Sequence, residues 1–527
     1  NLQQRNTAMK IRALVSVFAI LTFSTSTYLY AQFGLEWSNT HHTSSGNSGY
    51  NEEAVSLCPD ENRNVYVAGV RGTAETELLK YGPNGNLLWN INFAGGLPKR
   101  ILYAGNNLFL AGLPSLYKID MDGSADDVFE GRFVDLLKGQ DNFLYAMFPH
   151  SYGIKSVKLN FSGDTVWTRF FGDYTSQYYT VTMQFQGVDD KINMFGTLYR
   201  FVGSFLTIYP HFLAYSSSGV PVYDGSPFGG VVKAVRDNYT DHNFFAGNSD
   251  PSVWHSTVLL YKANSSNGIV DTGRYDGPGN GRDEPLDIVS DNQGNIYLAC
   301  RSWGVSVDYD FVLLKFKTNC ELLWEYRYNG SENSYDAASF IKIGSDGNIY
   351  ASGVTTMNTR GTQIRTVKLS PSGQLLWADN FSASTQQWTS DSNYVNDMQL
   401  DNYNNIYICG KTRNKSTGRD DYLTVKYGNP TSVEEGASVA DDYGLFESYP
   451  NPFNPEVTLR FSLGRSLNVK VSVFDALGNK IDEPFSGNVS GGIHEVRWNG
   501  ARNSSGVYFF VLEAGNLRSV RKGVLLK

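Results

Sequence analysis

Residues 291–324 read DNQGNIYLACRSWGVSVDYDFVLLKFKTNCELLW. The stretch opens on an Asp-x-x-x-Asn turn and continues as Ile-Tyr-x-Ala. A variable segment follows, then a strand around Lys315, a turn and a closing Leu-Leu-Trp. The same phrase returns at residues 60–89 (DENRNVYVAG … LLKYGPNGNLLW), at 345–377 (SDGNIYASG … TVKLSPSGQLLW) and, without its last strand, at 401–427 (DNYNNIYICG … LTVKY). Weaker copies lie between. The Lys-Tyr-type strand recurs eight times, with Lys at Lys80, Lys118, Lys158, Lys262, Lys315, Lys368 and Lys426 and Ala at Ala214, spaced 38 to 58 residues apart. That period fits a four-stranded propeller blade better than a helical solenoid unit. No segment keeps a helical period, and 14% aromatics with 52 glycines agree with an all-β chain. The expectation is a single-ring β-propeller of eight blades, with seven as the alternative.

The last copy stops after Tyr427 without its Leu-Leu-Trp strand, while Gly34-Leu35-Glu36-Trp37 has no blade of its own. Strand 35–37 is therefore expected to complete the blade begun at Asp401, which would leave no open edges. The repeats over about residues 50–428 resemble bacterial β-propeller repeats of the SBBP type, a resemblance that implies fold and almost no chemistry. The recurring Tyr and Trp read as packing between blades. Asp60, Asp291 and Asp401 recur at one blade position, where a short carboxylate can bond turn amides.

After residue 445 the pattern changes. ESYPNPFNPEVTLRFSL, NVKVSVFDALGNKI, GGIHEVRWNG and SSGVYFFVLEAG are alternating strands broken by Gly and Asn, and the chain ends RKGVLLK. A small Ig-like β-sandwich is expected over 445–527, after a polar, acidic linker at 429–444. The ordered motifs resemble the type A C-terminal sorting domain of the type IX secretion system, with Pro450, Asn451, Pro452, Gly506, Lys522 and Lys527 as its signature positions. The resemblance implies contact with the type IX machinery and export across the outer membrane of a Gram-negative bacterium. The product would be released or attached to the outer surface.

The other end of the chain fits that route. Met9-Lys10-Ile11-Arg12 is basic, residues 13–23 are apolar, and a polar stretch leads to Ala31-Gln32, the order of a secretory signal peptide cut between those two residues. Residues 1–8 precede the expected start. Eleven apolar residues fall short of the roughly 20 needed to span a bilayer, so no integral membrane protein is expected. Loss of residues 1–31 removes Arg5, Lys10 and Arg12 and no acid, moving the net charge from −8 to −11. Such acidity argues against a nucleic-acid partner, which needs a basic face. The propeller is then assigned to residues 32–428, and a monomer is expected.

Catalytic motifs are missing: there is no H-E-x-x-H, no G-x-S-x-G and no P-loop. The seven histidines are scattered, and His41-His42 reads as a solvated turn. No cofactor is expected, although Asp120-Met121-Asp122-Gly123 with Asp126 and Asp127 faintly resembles a calcium loop. Four cysteines make no disulfide framework. Cys58 and Cys409 fall in blades that ring closure would make neighbours, so an exported chain could bridge them. The long links at 301–309, 354–365, 378–396 and 411–421 belong to one face of the ring and carry Trp303, Tyr309, Trp388 and Tyr394. An aromatic rim of that kind suits a glycan or a surface protein. Two readings remain: a non-enzymatic binding or scaffold protein, or a propeller enzyme of quinoprotein-dehydrogenase or glycan-active type. The first is the expectation, because no quinone pocket with metal-binding or convergent charged residues is visible.

Overall fold

The structure is a computed structural model. It describes residues 33–42, 51–428 and 443–527 apart from short loop segments and Pro450, and for some strand residues, including those within 178–225 and 443–449, only the backbone pairing. The described residues contain strands and no helix, and so no helix long and apolar enough to cross a membrane. By contacts the chain divides into Asn1–Ser432 and Val433–Lys527.

The first unit is an eight-bladed β-propeller. Seven blades are sequential four-stranded antiparallel meanders, spanning residues 52–94, 98–130, 135–171, 178–225, 231–275, 283–328 and 336–381. The eighth joins strands Asn393–Leu400, Ile406–Asn414 and Arg419–Gly428 to the N-terminal strand Gly34–His41. Trp37 pairs with Lys426 as Trp324 pairs with Lys315, so the N-terminal segment occupies the fourth-strand position of this blade. The first strand of each blade packs on that of the next, and the last on the first, which closes the ring.

The repeated residues hold this ring together. Asp291 Oδ1 accepts the amides of Gln293 and Asn295, while its Oδ2 accepts Asn295 Nδ2 and Tyr297 Oη. Asp60 and Asp401 make the same four bonds with Asn62, Asn64 and Tyr66, and with Tyr403, Asn405 and Tyr407. The Asp thus fixes the turn and orients a buried Tyr. The Lys ammonium lies over that ring, 5.0 Å from its centroid for Lys315 and Tyr297, 5.5 Å for Lys426 and Tyr407. Trp324 Nε1 and Lys315 Nζ both donate to Pro371 O of the next blade, and Trp37 Nε1 and Lys426 Nζ do the same to Pro83 O. Those turns need glycine at Gly373 and Gly85, which have φ of 86° and 85° and no room for a Cβ against the indole.

A second device repeats at the hub. Most inner strands carry a bulge near their start, including those after Ala54, Pro98, Pro285 and Val395. The residue beyond the bulge reaches the neighbouring blade. Asp397 Oδ2 accepts Leu57 N and Ser56 Oγ, Asp287 Oδ2 accepts Ile341 N, and Ser56 Oγ accepts Ile101 N.

The second unit packs the three-stranded sheet that includes Glu456–Leu463 and Gly492–Asn499 on a four-stranded sheet that includes Leu467–Asp475 and Gly506–Ala514. Val457, Leu459, Phe461, Val469, Val471, Val473, Trp498 and Phe510 share the core between them. Alternation in the sequence places these residues on the inner faces.

Candidate functional site

Trp303 and Tyr309 stand on the same end of the ring as the starts of the first strands. They differ from the sequence reading in one respect. The segments read as long loops are mostly continued hairpin: strand Ile296–Trp303 ends at Trp303, strand Tyr309–Phe316 begins at Tyr309, and the two residues are a cross-strand pair. Likewise Ile349–Met357 and Gly361–Leu369 leave only 358–360 between them. Period-2 alternation fades at strand tips because side chains there meet solvent on both faces, so the tips read as loop.

The rings form a ladder. Trp303 meets Tyr309 edge-on at 4.9 Å between centroids, and Tyr309 meets Tyr335 at 5.8 Å. Arg301 lies over both tyrosines, 4.9 Å and 5.8 Å from their centroids. Its guanidinium is pinned by Glu284 and donates to Tyr335 Oη at 2.9 Å. Burial works against the Arg301 charge, but the bonds to Tyr335 and Glu284 outweigh it and raise its pKa. The tyrosine pKa of Tyr309 is raised by burial first and by Glu284 second. One face of the Trp303 indole is seated on Gly279 and Gly281, where a Cβ would come within 2.7 Å and 2.3 Å of the ring. All three rings remain half-buried, neither sunk in the blade nor fully in water.

Tyr394 belongs to a different place. It is 39% exposed, at the second position of strand Asn393–Leu400, and packs on Lys411, whose Nζ lies 3.1 Å from Glu53 of blade one. The structure therefore joins Trp303 with Tyr309 on blade six and separates both from Tyr394 on blade eight. Trp388 lies outside the described residues, as do Ala31, Gln32 and Pro450. Arg301, Glu284 and Tyr335 were missed in the sequence. Arg301 and Glu284 are cross-strand partners, and Tyr335 comes from the link after the blade, so no local spacing marks the group.

Three other charged groups could carry chemistry. At the hub Arg100 Nε donates to Asp135 Oδ1 at 3.2 Å and its Nη1 lies 4.0 Å from Asp397 Oδ2. Burial raises the Asp135 pKa, opposed first by the Arg100 charge. These groups hold one another at the hub, where Asp397 Oδ2 also accepts Ser56 Oγ. At the turn read as a calcium loop, Asp120 O and N close a hairpin with Gly123 and Ser124, and Asp127 Oδ2 accepts Ser115 Oγ. Asp122 lies outside the described residues. The third group, His42 with Glu52 and Asp421, brings three donor atoms within 4.8 Å of one another where the last blade meets the first. It corrects the reading of His41-His42 as a solvated turn: His41 is a strand residue, 3.2 Å from buried Glu77. All four cysteines are free and buried, with Cys58 and Cys409 in separate core clusters and their thiol pKa values raised by burial.

In the second unit the two ends of the sorting motif meet. Asn451 Nδ2 donates to Lys522 O at 2.8 Å and Asn451 Oδ1 accepts Val524 N at 2.9 Å. Phe453 N donates to Val524 O, and Leu526 N to Phe453 O. Gly523 is fixed by packing, since a Cβ would come within 2.5 Å of Phe510. Lys527 N donates to Ser505 Oγ beside Gly506, and Lys527 Nζ to Ala501 O. Asn451 and Phe453 thus join the end of the last strand in one corner of the sandwich.

No curated protein sequence matches the chain. Among solved structures it is similar to a puromycin hydrolase mutant complexed with PGG (11% identity, 69% of this chain and 58% of that one, TM-score 0.42). It is also similar to the WD40 domain of SCAP from fission yeast (10% identity, 77% and 92%, TM-score 0.34). Residues 447–526 match the family model described as a secretion system C-terminal sorting domain, and with it the chain carries the export tail of type IX secretion substrates.

Proposed function

We propose that the protein is an exported, non-enzymatic propeller of SBBP-repeat type that binds a glycan through the aromatic ladder of blade six, released outside the cell or held at its surface. The observation that carries this reading is the ladder itself. Trp303, Tyr309 and Tyr335 keep half-exposed ring faces and edges on one rim, with the Arg301 donors fixed among them. Rings held at low entropy supply stacking area for apolar sugar faces, and an oriented guanidinium bonds hydroxyls or a carboxylate. Enzymatic alternatives would need a nucleophile or a general acid–base pair beside this surface, and Glu284 is already engaged by Arg301. A glycan array with the mature protein tests the proposal. Arg301→Ala and Trp303→Ala should each lower affinity for a captured glycan at least tenfold while Tyr394→Ala does not. Binding that survives both substitutions, or no binding to any glycan, would refute the assignment.

A further inference from the structure

We propose that His42, Glu52 and Asp421 form a divalent transition-metal site that clips the last blade of the ring to the first. His42 follows the closing strand Gly34–His41, Glu52 opens blade one, and Asp421 lies in strand Arg419–Gly428 of blade eight. His42 Nδ1 is 3.5 Å from Glu52 Oε2 and 3.2 Å from Asp421 Oδ1. Ligand bonds of about 2.0–2.2 Å in a tetrahedral site put donor atoms roughly 3.3–3.6 Å apart, so these separations suit such an ion with little movement. Glu52 is 1% and Asp421 4% exposed, whereas the His42 side chain is 37% exposed and leaves a path for the ion.

A cation is favoured by comparison with another seam of the same ring. Asp310 and Asp336 occupy the equivalent register positions between blades six and seven, each opposite the same place on the second strand. There Arg327, three residues after Trp324, bonds Asp310 at 2.5 Å and so places a cation on the carboxylate that matches Asp421. Three residues after Trp37 stands Thr40, so the closing seam lacks that arginine. Arg71 Nε lies 4.0 Å from Glu52 Oε1, and Arg71 Nη1 lies 3.5 Å from Glu75 Oε2. Beside them Glu77 is fully buried and its Oε2 has no hydrogen-bond partner, and the buried Tyr422 hydroxyl also has none. Among the described residues, buried Glu52, Glu77 and Asp421 thus gather beside His41, His42 and Arg71 at this seam. One imidazole with two carboxylates suits zinc or manganese, while calcium prefers six to eight oxygen donors.

The test uses the untagged mature full chain, stripped with chelator and titrated with zinc chloride and manganese chloride by calorimetry and thermal melting. The expected result is one equivalent bound per chain and a melting temperature raised by several degrees. His42→Ala should abolish both effects and His41→Ala should keep the stoichiometry. If His42→Ala fails to fold, His42→Gln and Asp421→Asn give the same reading. Absence of stoichiometric binding overturns the site, as does binding unchanged in these variants. A stability that follows histidine protonation with no response to metal overturns it too, since His42 would then be a simple ion-pair partner.

Discussion

Asp336 shows how one register position answers to burial. It is fully buried, accepts Gly330 N and Thr356 N, and caps the link that enters blade seven. Asp283 does the same in blade six through Gly277 N and Trp303 N. Burial holds both carboxyls above their ordinary value of 3.8, since it penalises the charged form more than the hydrogen bonds favour it. A pKa higher in the folded state means that the folded chain binds the proton more tightly. The associated stability is complete below pH 3.8 and is lost as pH rises through the raised folded-state value. Blade eight has Asn393 at this position, accepting Ala383 N and donating to Thr362 O. Asp336→Asn is therefore expected to fold and to flatten the fall in stability between about pH 4 and pH 7. Urea midpoints at both pH values check this, and a slope equal to the parent's would contradict it.

At the scale of the element, the outer strands explain the exposed half of the Leu-Leu-Trp phrase. Leu323 and Leu376 are bulge residues skipped by the ladder, and 41% and 48% of their surface stays exposed. A bulge twists an outer edge away from pairing with another chain, so the apolar residues there do not build a flat adhesive strand. In the closing strand the skipped residue is Glu36, whose carboxylate lies 2.8 Å from Lys426 Nζ. Leu323→Glu should place a carboxylate near Lys315 in the same way and change stability by no more than about 0.5 kcal/mol. Trp37→Ala is the contrasting case. Its indole bonds Pro83 O and packs on Tyr81 across the seam, so its loss should cost about 2–4 kcal/mol. Paired thermal melts distinguish the two, and equal effects would mean that the closing strand is not held by its Trp. Leu35 is 49% exposed, which makes it a poor probe of closure.

For the whole molecule, the two units have separate cores, and the sorting match lies entirely within the second. Deleting residues 443–527 should leave a cooperatively folding propeller that stays in the periplasm. Fractionation with a melt of the retained protein checks both halves of that expectation. Export of the truncated chain would contradict the role of the tail, and a molten product would show that the propeller depends on it.

The all-β ring was legible because its determinants are local and repeated. Asp, Asn and Tyr at Asp291, Asn295 and Tyr297 lie within seven residues of one another, so a turn that bonds itself leaves its pattern in the chain. The sandwich core was legible for the same reason, since Val469, Val471 and Val473 alternate. Tertiary structure alone decided which charges meet. Ser56 and Asp397 are 341 residues apart and share a hydrogen bond, and His42 reaches Asp421 only because the ring closes. Arg301 joins Tyr309 of its own blade to Tyr335 of the link that follows. Local hydrogen bonding and alternation follow the backbone, whereas burial and electrostatic pairing depend on distances in space. The rim and the seam therefore had no linear signature.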